Sequence, residues 1–378
     1  MCNLKALTAF IACLSLPAAA SAQTTAPPAP PASRTGPISG YMELHLNRPD
    51  HGPVVLDFHR FVLLLNHSFT DRIRFVGELE LEHAFVEGLE AAGELELEQA
   101  YLDFLLTRAF NVRAGMVLVP IGILNERHEP PVFQGVERTF VDTVIVPTTW
   151  FEVGAGVHGE IGRGWRYRAY VLAPLNALEF SAEEGIRGGR QKGSQADVSN
   201  VAYTGRLEYL GIPGLQLGAS GWRGESSFAV PRLDSEVWIA EADARYRLNR
   251  LELRAQYAHV GITDTARLND AIERTTGVSP NIARQLRGFY LEGAYRVWNG
   301  GPAREVVLFA RHENFDTQFR MPDGFIPLEE FDRTAWVVGA TYYPDPDVAV
   351  KVDYTMLKSR SGFVRLPRSL NVGLGWWF

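Results

Sequence analysis

Ser369-Leu-Asn-Val-Gly-Leu-Gly-Trp-Trp-Phe378, the last ten residues, decide the fold. Leu370, Val372, Leu374, Trp376 and Phe378 share one parity, while Asn371, Gly373, Gly375 and Trp377 share the other. Successive side chains of a strand point to opposite faces, so this segment has one apolar face and one of mostly small or polar residues. The first face suits lipid and the second a lumen. Ending on an aromatic residue suits the closing strand of a transmembrane β-barrel. Alone, the decapeptide would also serve a soluble sandwich. The rest of the chain separates the two.

The N-terminus has the marks of an export leader at residues 1–22. Lys5 supplies a positive start, Ala6 to Leu16 an apolar core too short to span a bilayer, and Ala20-Ser21-Ala22 a small-x-small cleavage site. Cys2 and Cys13 would leave with it, so disulfides, thiolate metal sites and cysteine nucleophiles are not expected. Residues 23–37, which include the run TTAPPAPPASRTGP, form a Pro-rich linker. The formal charge of −7 includes Lys5 and no acid from the leader, so the processed chain carries −8, which argues against nucleic acid as a partner. Mean hydropathy is near zero, which excludes a bundle of membrane helices but not a barrel, whose lumen-facing residues dilute the lipid-facing ones.

From Ile38 to Phe378 the pattern predicts an all-β, antiparallel transmembrane barrel of about sixteen strands. Tight connections at Thr70-Asp71, Arg108–Phe110, Gly162–Gly164, Gly211–Pro213, Asn249-Arg250, Asn299–Ala303 and Pro344–Asp347 alternate with long polar ones. Short periplasmic turns and long external loops have this asymmetry, which a soluble sandwich has no reason to maintain. The strand Arg72–Glu82 shows the pleat: Ile73, Phe75, Leu79 and Leu81 against Arg72, Arg74, Glu78, Glu80 and Glu82. The alternation slips near Gln99, which points to a bulge or to local packing in the lumen. Thr265–Val278 has helical spacing and predicts a short helix in an external loop.

The stretch LEQAYLDFLL (Leu97–Leu106) followed by NVRAGMVLVPIGILNERHEPPVFQGVERTFVDTVIVPTTWFEVGAGVHG (Asn111–Gly159) resembles the porin family that includes the phosphate-selective porins O and P. The resemblance implies a sixteen-stranded, usually trimeric diffusion channel in the outer membrane of Gram-negative bacteria. It also implies that the third external loop, here 120–150, folds into the lumen as a constriction, and that Phe378 is read by the barrel-assembly machinery. Phosphate selectivity does not carry over, because this chain is poor in lysine.

Pleat and topology together place Arg113, Arg166, Arg168, Arg206, Arg245 and Arg247 in the lumen near the short turns, as a basic periplasmic vestibule with Arg72, Arg74, Arg254 and Lys351. Glu78, Glu80, Glu82, Glu94, Glu96 and Glu98 would form an acidic external wall, with Glu87 and Glu90 in the loop between. Cross-strand pairing, for example of Arg206 with Glu208, would instead leave little net field. The constriction offers Glu126, Arg127, His128 and Glu129, with Arg138, Asp142 and Glu152 expected to anchor the loop. Glu126, His128 and Glu129 lack a second histidine, so no metal or other cofactor is expected. Asp57 and His59 share a strand face, but no nucleophile elbow accompanies them, so no enzyme is expected. The expected partners are lipid, small hydrophilic or charged solutes with a lean towards anions, and two further copies of the chain. The alternative is a non-conducting barrel, plugged by 120–150, whose external loops bind a ligand or surface.

Overall fold

The computed structural model describes residues 37–84, 93–227, 233–301 and 304–378. The leader, the linker to residue 36 and the loop acids Glu87 and Glu90 lie outside the described residues. Sixteen strands form one closed antiparallel barrel, each paired with its neighbours in sequence. They are β1 (Ile38–Pro49), β2 (Val55–Thr70), β3 (Ile73–Glu82), β4 (Glu94–Phe104), β5 (Asn111–Leu118), β6 (Phe151–Ile161), β7 (Trp165–Leu172) and β8 (Ala202–Ile212). The second half comprises β9 (Leu215–Glu225), β10 (Glu236–Leu248), β11 (Leu251–Ile262), β12 (Gln285–Asn299), β13 (Glu305–Arg320), β14 (Asp332–Asp345), β15 (Val348–Ser359) and β16 (Arg368–Trp377). Helix α1 (Thr265–Thr276) lies in the predicted external loop, between β11 and β12.

The barrel closes where β1 meets β16, from Tyr41 opposite Trp377 to Pro49 opposite Ser369. Closure leaves no strand edge with unpaired backbone, which hydrocarbon would not tolerate. Phe378 extends the seam: its amide donates to the Gly40 carbonyl at 2.9 Å and its carbonyl accepts from the Gly40 amide at 3.0 Å. Its ring stacks on Phe61, 6.2 Å between centroids. Outward residues such as Val171, Leu207, Leu253, Leu308, Val352 and Val372 are exposed, as a lipid-facing belt requires.

Of the two readings of the slip near Gln99, the bulge is present. Register shifts between Glu78 and Leu79 of β3, with Gln99 and Leu97 as their partners on β4, so Glu98 is the extra residue. A bulge re-aims a side chain. Here Glu98 keeps the inward facing of Glu94 and Glu96 and the bulge turns Gln99 inward beside it, so two successive residues point away from lipid.

The interior is packed as a core in its outer half. Ile121, Val141, Ile145 and Trp150 of the third loop join Leu175, Phe180 and Ile186 of the fourth and Leu268 and Ile272 of α1 in one buried apolar cluster. At about 1.5–3 kcal/mol for each fully buried large apolar side chain, this cluster holds the loops firmly inside the barrel.

Candidate pore and its constriction loop

The third external loop, residues 119–150, crosses the lumen and docks on the opposite wall. A 3₁₀ turn at Pro130–Val132 reaches β15, β16 and β1, and a π-turn at Val141–Ile145 reaches β11, β12 and β13. Small wall residues make this approach feasible. A Cβ at Gly375 would overlap Pro130, and one at Gly288 would lie 2.9 Å from Ile145. The small lumen face of β16 is thus explained by what it receives.

Charged wall residues hold the loop by its backbone. Arg254 donates to the Val132 carbonyl (2.8 Å), Arg311 to that of Gln134 (3.2 Å) and Lys351 to that of Gly135 (2.7 Å). The Val136 amide donates to Asp353 (2.7 Å) and the Val141 amide to Glu313 (3.1 Å). Bonds to ionised partners are the stronger kind. Farther up, Glu137 meets His45 at 3.1 Å and accepts from Asn47 at 2.9 Å. Arg187 and Arg190 of the fourth loop also donate to third-loop carbonyls, Arg187 to Thr143 at 3.2 Å and to Thr148, and Arg190 to Thr149 at 2.6 Å. Burial lowers the Arg187 guanidinium to about 10.

Of the three residues expected to anchor the loop, Asp142 does so most directly. It accepts from Thr139 (2.6 Å) and from Gln256 on β11 (2.8 Å). Burial pushes its carboxyl up to about 6 despite those hydrogen bonds. Glu152 accepts from Trp150 Nε1 (3.3 Å) and the Gln191 amide (2.9 Å), and Arg138 reaches the His128 carbonyl at 3.5 Å.

The expected basic vestibule is largely paired. Arg113 meets Asp103 (2.9 Å), Arg168 meets Glu126 and Glu208 (3.0 Å each), and Arg206 meets Glu208, Glu241 and Asp243 at 2.7–3.3 Å. Arg245 and Arg247 share Glu252 at 2.8 and 2.7 Å, and Arg166 lies 3.4 Å from Glu160. Arg127 is exposed and has no carboxylate within 4 Å among the described residues.

The expected acidic external wall needs correcting. Glu78, Glu80 and Glu98 are buried beneath the third loop rather than open to the outer mouth, because that loop packs against β3 and β4. Arg60 neutralises part of the cluster, meeting Glu43 at 2.6 Å and Glu80 and Glu82 at 3.3 Å. Glu94 and Glu96 pair with Lys192 of the fourth loop. His128 is not on the pore surface either: it is 2% exposed and turned to Glu98, while Glu126 points away to Arg168 and Glu129 is half-buried.

Arg60, Arg187, Arg190 and Lys192, like the loop-holding Arg311, Glu313 and Asp353, are site residues that sequence reasoning did not single out. The only local signal for Arg187, Arg190 and Lys192 is the run Arg187-Gly-Gly-Arg-Gln-Lys192 in a loop otherwise poor in charge order.

No family model matches the chain. Solved structures share its fold at low identity. The outer membrane channel DcaP of Acinetobacter baumannii aligns with a TM-score of 0.59 at 12% identity, covering 90% of this chain and 96% of that one. OmpF of Salmonella typhi, in complex with daunomycin, gives 0.58 at 13% (90% and 97%), and the anion-selective porin from Comamonas acidovorans 0.57 at 11% (90% and 98%). These likenesses show the architecture of an outer-membrane porin. In sequence, an uncharacterized protein of Aquifex aeolicus (strain VF5) is 34% identical over 328 residues, covering 84% of this chain and 74% of its own length. With that identity over that span, the chain belongs to the same family as the Aquifex aeolicus protein.

Proposed function

We propose that this protein is a porin of the Gram-negative outer membrane, a passive channel for small hydrophilic or charged solutes, narrowed by residues 120–150. One asymmetry carries the reading. Arg113, Arg166 and Arg247 keep side-chain exposures of 19, 31 and 39%, whereas Arg254 and Arg311, which donate to the docked loop, are at 4 and 2%, and Arg206 is at 2% among its own carboxylate partners. Water therefore reaches part of the wall that the loop does not cover. The driving force is the solute gradient, the protein supplies width and charge placement, and no catalytic role is assigned.

Paired wall charges predict weak selectivity, and exposed Arg127 with half-exposed Arg166 and Arg247 tilts it towards anions. The resemblance of Leu97–Gly159 to the porin O and P family supports the channel reading without supporting phosphate as the solute. The same resemblance supports a homotrimer, export by the leader 1–22 and recognition of Phe378 by the barrel-assembly machinery. The experiment is reversal potential across a planar bilayer under a KCl gradient. Wild type leans towards anions, and Arg127→Glu shifts the potential towards cations. An unmoved potential would remove Arg127 from the path.

A second reading is favoured by the packed outer half, where loops three and four and α1 share one apolar core. In it the barrel is plugged and its external loops bind a ligand or surface. The two readings separate on whether small ions pass.

A further inference from the structure

We propose that Glu78, Glu98 and His128 form a binding site for one divalent first-row transition ion, of the Zn²⁺ or Mn²⁺ type, which ties the third external loop to β3 and β4. One ligand atom from each lies within 4.8 Å of the other two. His128 Nε2 is 3.2 Å from Glu98 and 3.9 Å from Glu78. All three residues are buried, at 2, 0 and 3% exposure.

The surroundings prepare the ligands for a cation. His128 Nδ1 lies 3.0 Å from the Asn125 carbonyl, which only accepts, so Nδ1 carries the proton. In the neutral ring, Nε2 then presents its lone pair to the two carboxylates. A backbone carbonyl on the far nitrogen is the usual outer partner of a metal-binding imidazole. Asn125 is itself fixed: its Nδ2 donates to the Val119 (2.7 Å) and Trp150 (2.8 Å) carbonyls, and its Oδ1 accepts from the Trp150 amide (2.8 Å). Tyr41 (3.4 Å) and Gln99 donate to Glu78 and orient it. Among the described residues, neither oxygen of Glu98 nor His128 Nε2 makes a hydrogen bond of good geometry, the 3.2 Å approach of His128 Nε2 to Glu98 being their contact with each other. Two buried carboxylates and a lone pair aimed at one point are costly without a positive charge between them. Glu98 keeps the inward facing of Glu94 and Glu96, and the bulge brings Gln99 inward beside it to hold Glu78.

One imidazole with two buried carboxylates suits Zn²⁺ or Mn²⁺ better than Ca²⁺, which takes six to eight oxygens.

Asp57, His59 and His83 also converge within 4.8 Å, at the outer mouth, but their hydrogen bonds oppose a metal. Arg60 Nη2 is 3.0 Å from His59 Nε2, and a guanidinium only donates, so that nitrogen accepts. His59 Nδ1 is therefore protonated and donates to Asp57 at 3.1 Å. This cluster is a hydrogen-bond network, and it provides a control.

The test refolds the chain in detergent after chelator treatment, with Zn²⁺ or Mn²⁺ supplied during folding because the site is closed over. Bound metal is then counted on protein that migrates as a folded barrel. We expect one ion per chain in wild type and in His83→Gln, and at least tenfold weaker retention in Glu98→Gln and His128→Gln. X-ray absorption of the wild-type Zn²⁺ form, which needs no variant to fold, should show a single imidazole among oxygen ligands. The proposal is overturned by folded wild type that retains no ion, in which case His128 and Glu98 are simply an ion pair. Equal retention in the two ligand variants, loss in His83→Gln, or a two-imidazole spectrum would overturn it equally.

Discussion

The loop latch makes the most exacting prediction. Lys351 and Asp353 sit two residues apart on the lumen face of β15 and bind successive groups of the loop, the Gly135 carbonyl and the Val136 amide, each at 2.7 Å. Lys351 Nζ also lies 3.8 Å from the Phe133 ring centroid. Hydrogen bonds to charged groups contribute roughly 1.5–3 kcal/mol each, and Val136 is buried, so its amide gains no water when Asp353 is removed. The variant Lys351→Met/Asp353→Ala leaves net charge unchanged and the β15 ladder intact. Taking about 2 kcal/mol per bond, the latch weakens by about 4 kcal/mol, roughly a thousandfold in its equilibrium. The two bonds hold one segment, so this is the upper end of the effect. Single-channel recording is the assay, on protein whose heat-modifiable migration shows a folded barrel. We expect larger or visibly flickering conductance. Wild-type conductance and noise in a folded double variant would refute the claim that these bonds hold the loop across the conducting path.

Other consequences follow from the same packing. Gly375→Val places a side chain where Pro130 sits, so the barrel should assemble with its loop displaced and show the same open-channel noise. Trp150, fully buried and 5.5 Å from the Trp222 ring, should cost about 3–5 kcal/mol when changed to Ala, read as a lower urea midpoint in detergent. An unchanged midpoint would show that the apolar cluster is not stability-bearing. The raised carboxyl of Asp142 contributes stability that is full below pH ~4 and is lost as pH rises through about 6, by at most roughly 3 kcal/mol. Wild type should therefore lose more stability than Asp142→Asn between pH 4 and pH 7, and equal changes would contradict the assignment. Deleting Phe378 removes two seam hydrogen bonds and the stack on Phe61, so folded yield should fall while conductance of the folded fraction stays the same.

The wall was legible in the sequence and the plug was not. Period-two alternation and the alternation of short and long connections are local properties, and they locate β1–β16, the external loops and even the bulge beside Gln99. Helix α1 also announces itself, through Leu268, Ala271, Ile272 and Thr275. Cross-strand pairing of lumen charges was readable as an alternative, since Arg206 and Glu208 are two residues apart on one face. The docking of Leu175, Phe180 and Ile186 onto the third loop was not readable, because those residues follow no period and meet Ile121 and Trp150 only through the barrel's curvature. The bulge was visible as a slip in phase. That Glu98 meets His128, thirty residues on in the third loop, depends on that loop's path across the lumen.

The central claim is that a water-filled path survives beside the docked loop. Single-channel recording of the refolded wild-type protein, with the reversal potential taken under a KCl gradient, tests it most directly. Stepwise conductance with a small potential of anion sign is the predicted result. A folded barrel that gives no steps at any voltage would contradict the account and make the lumen a closed core.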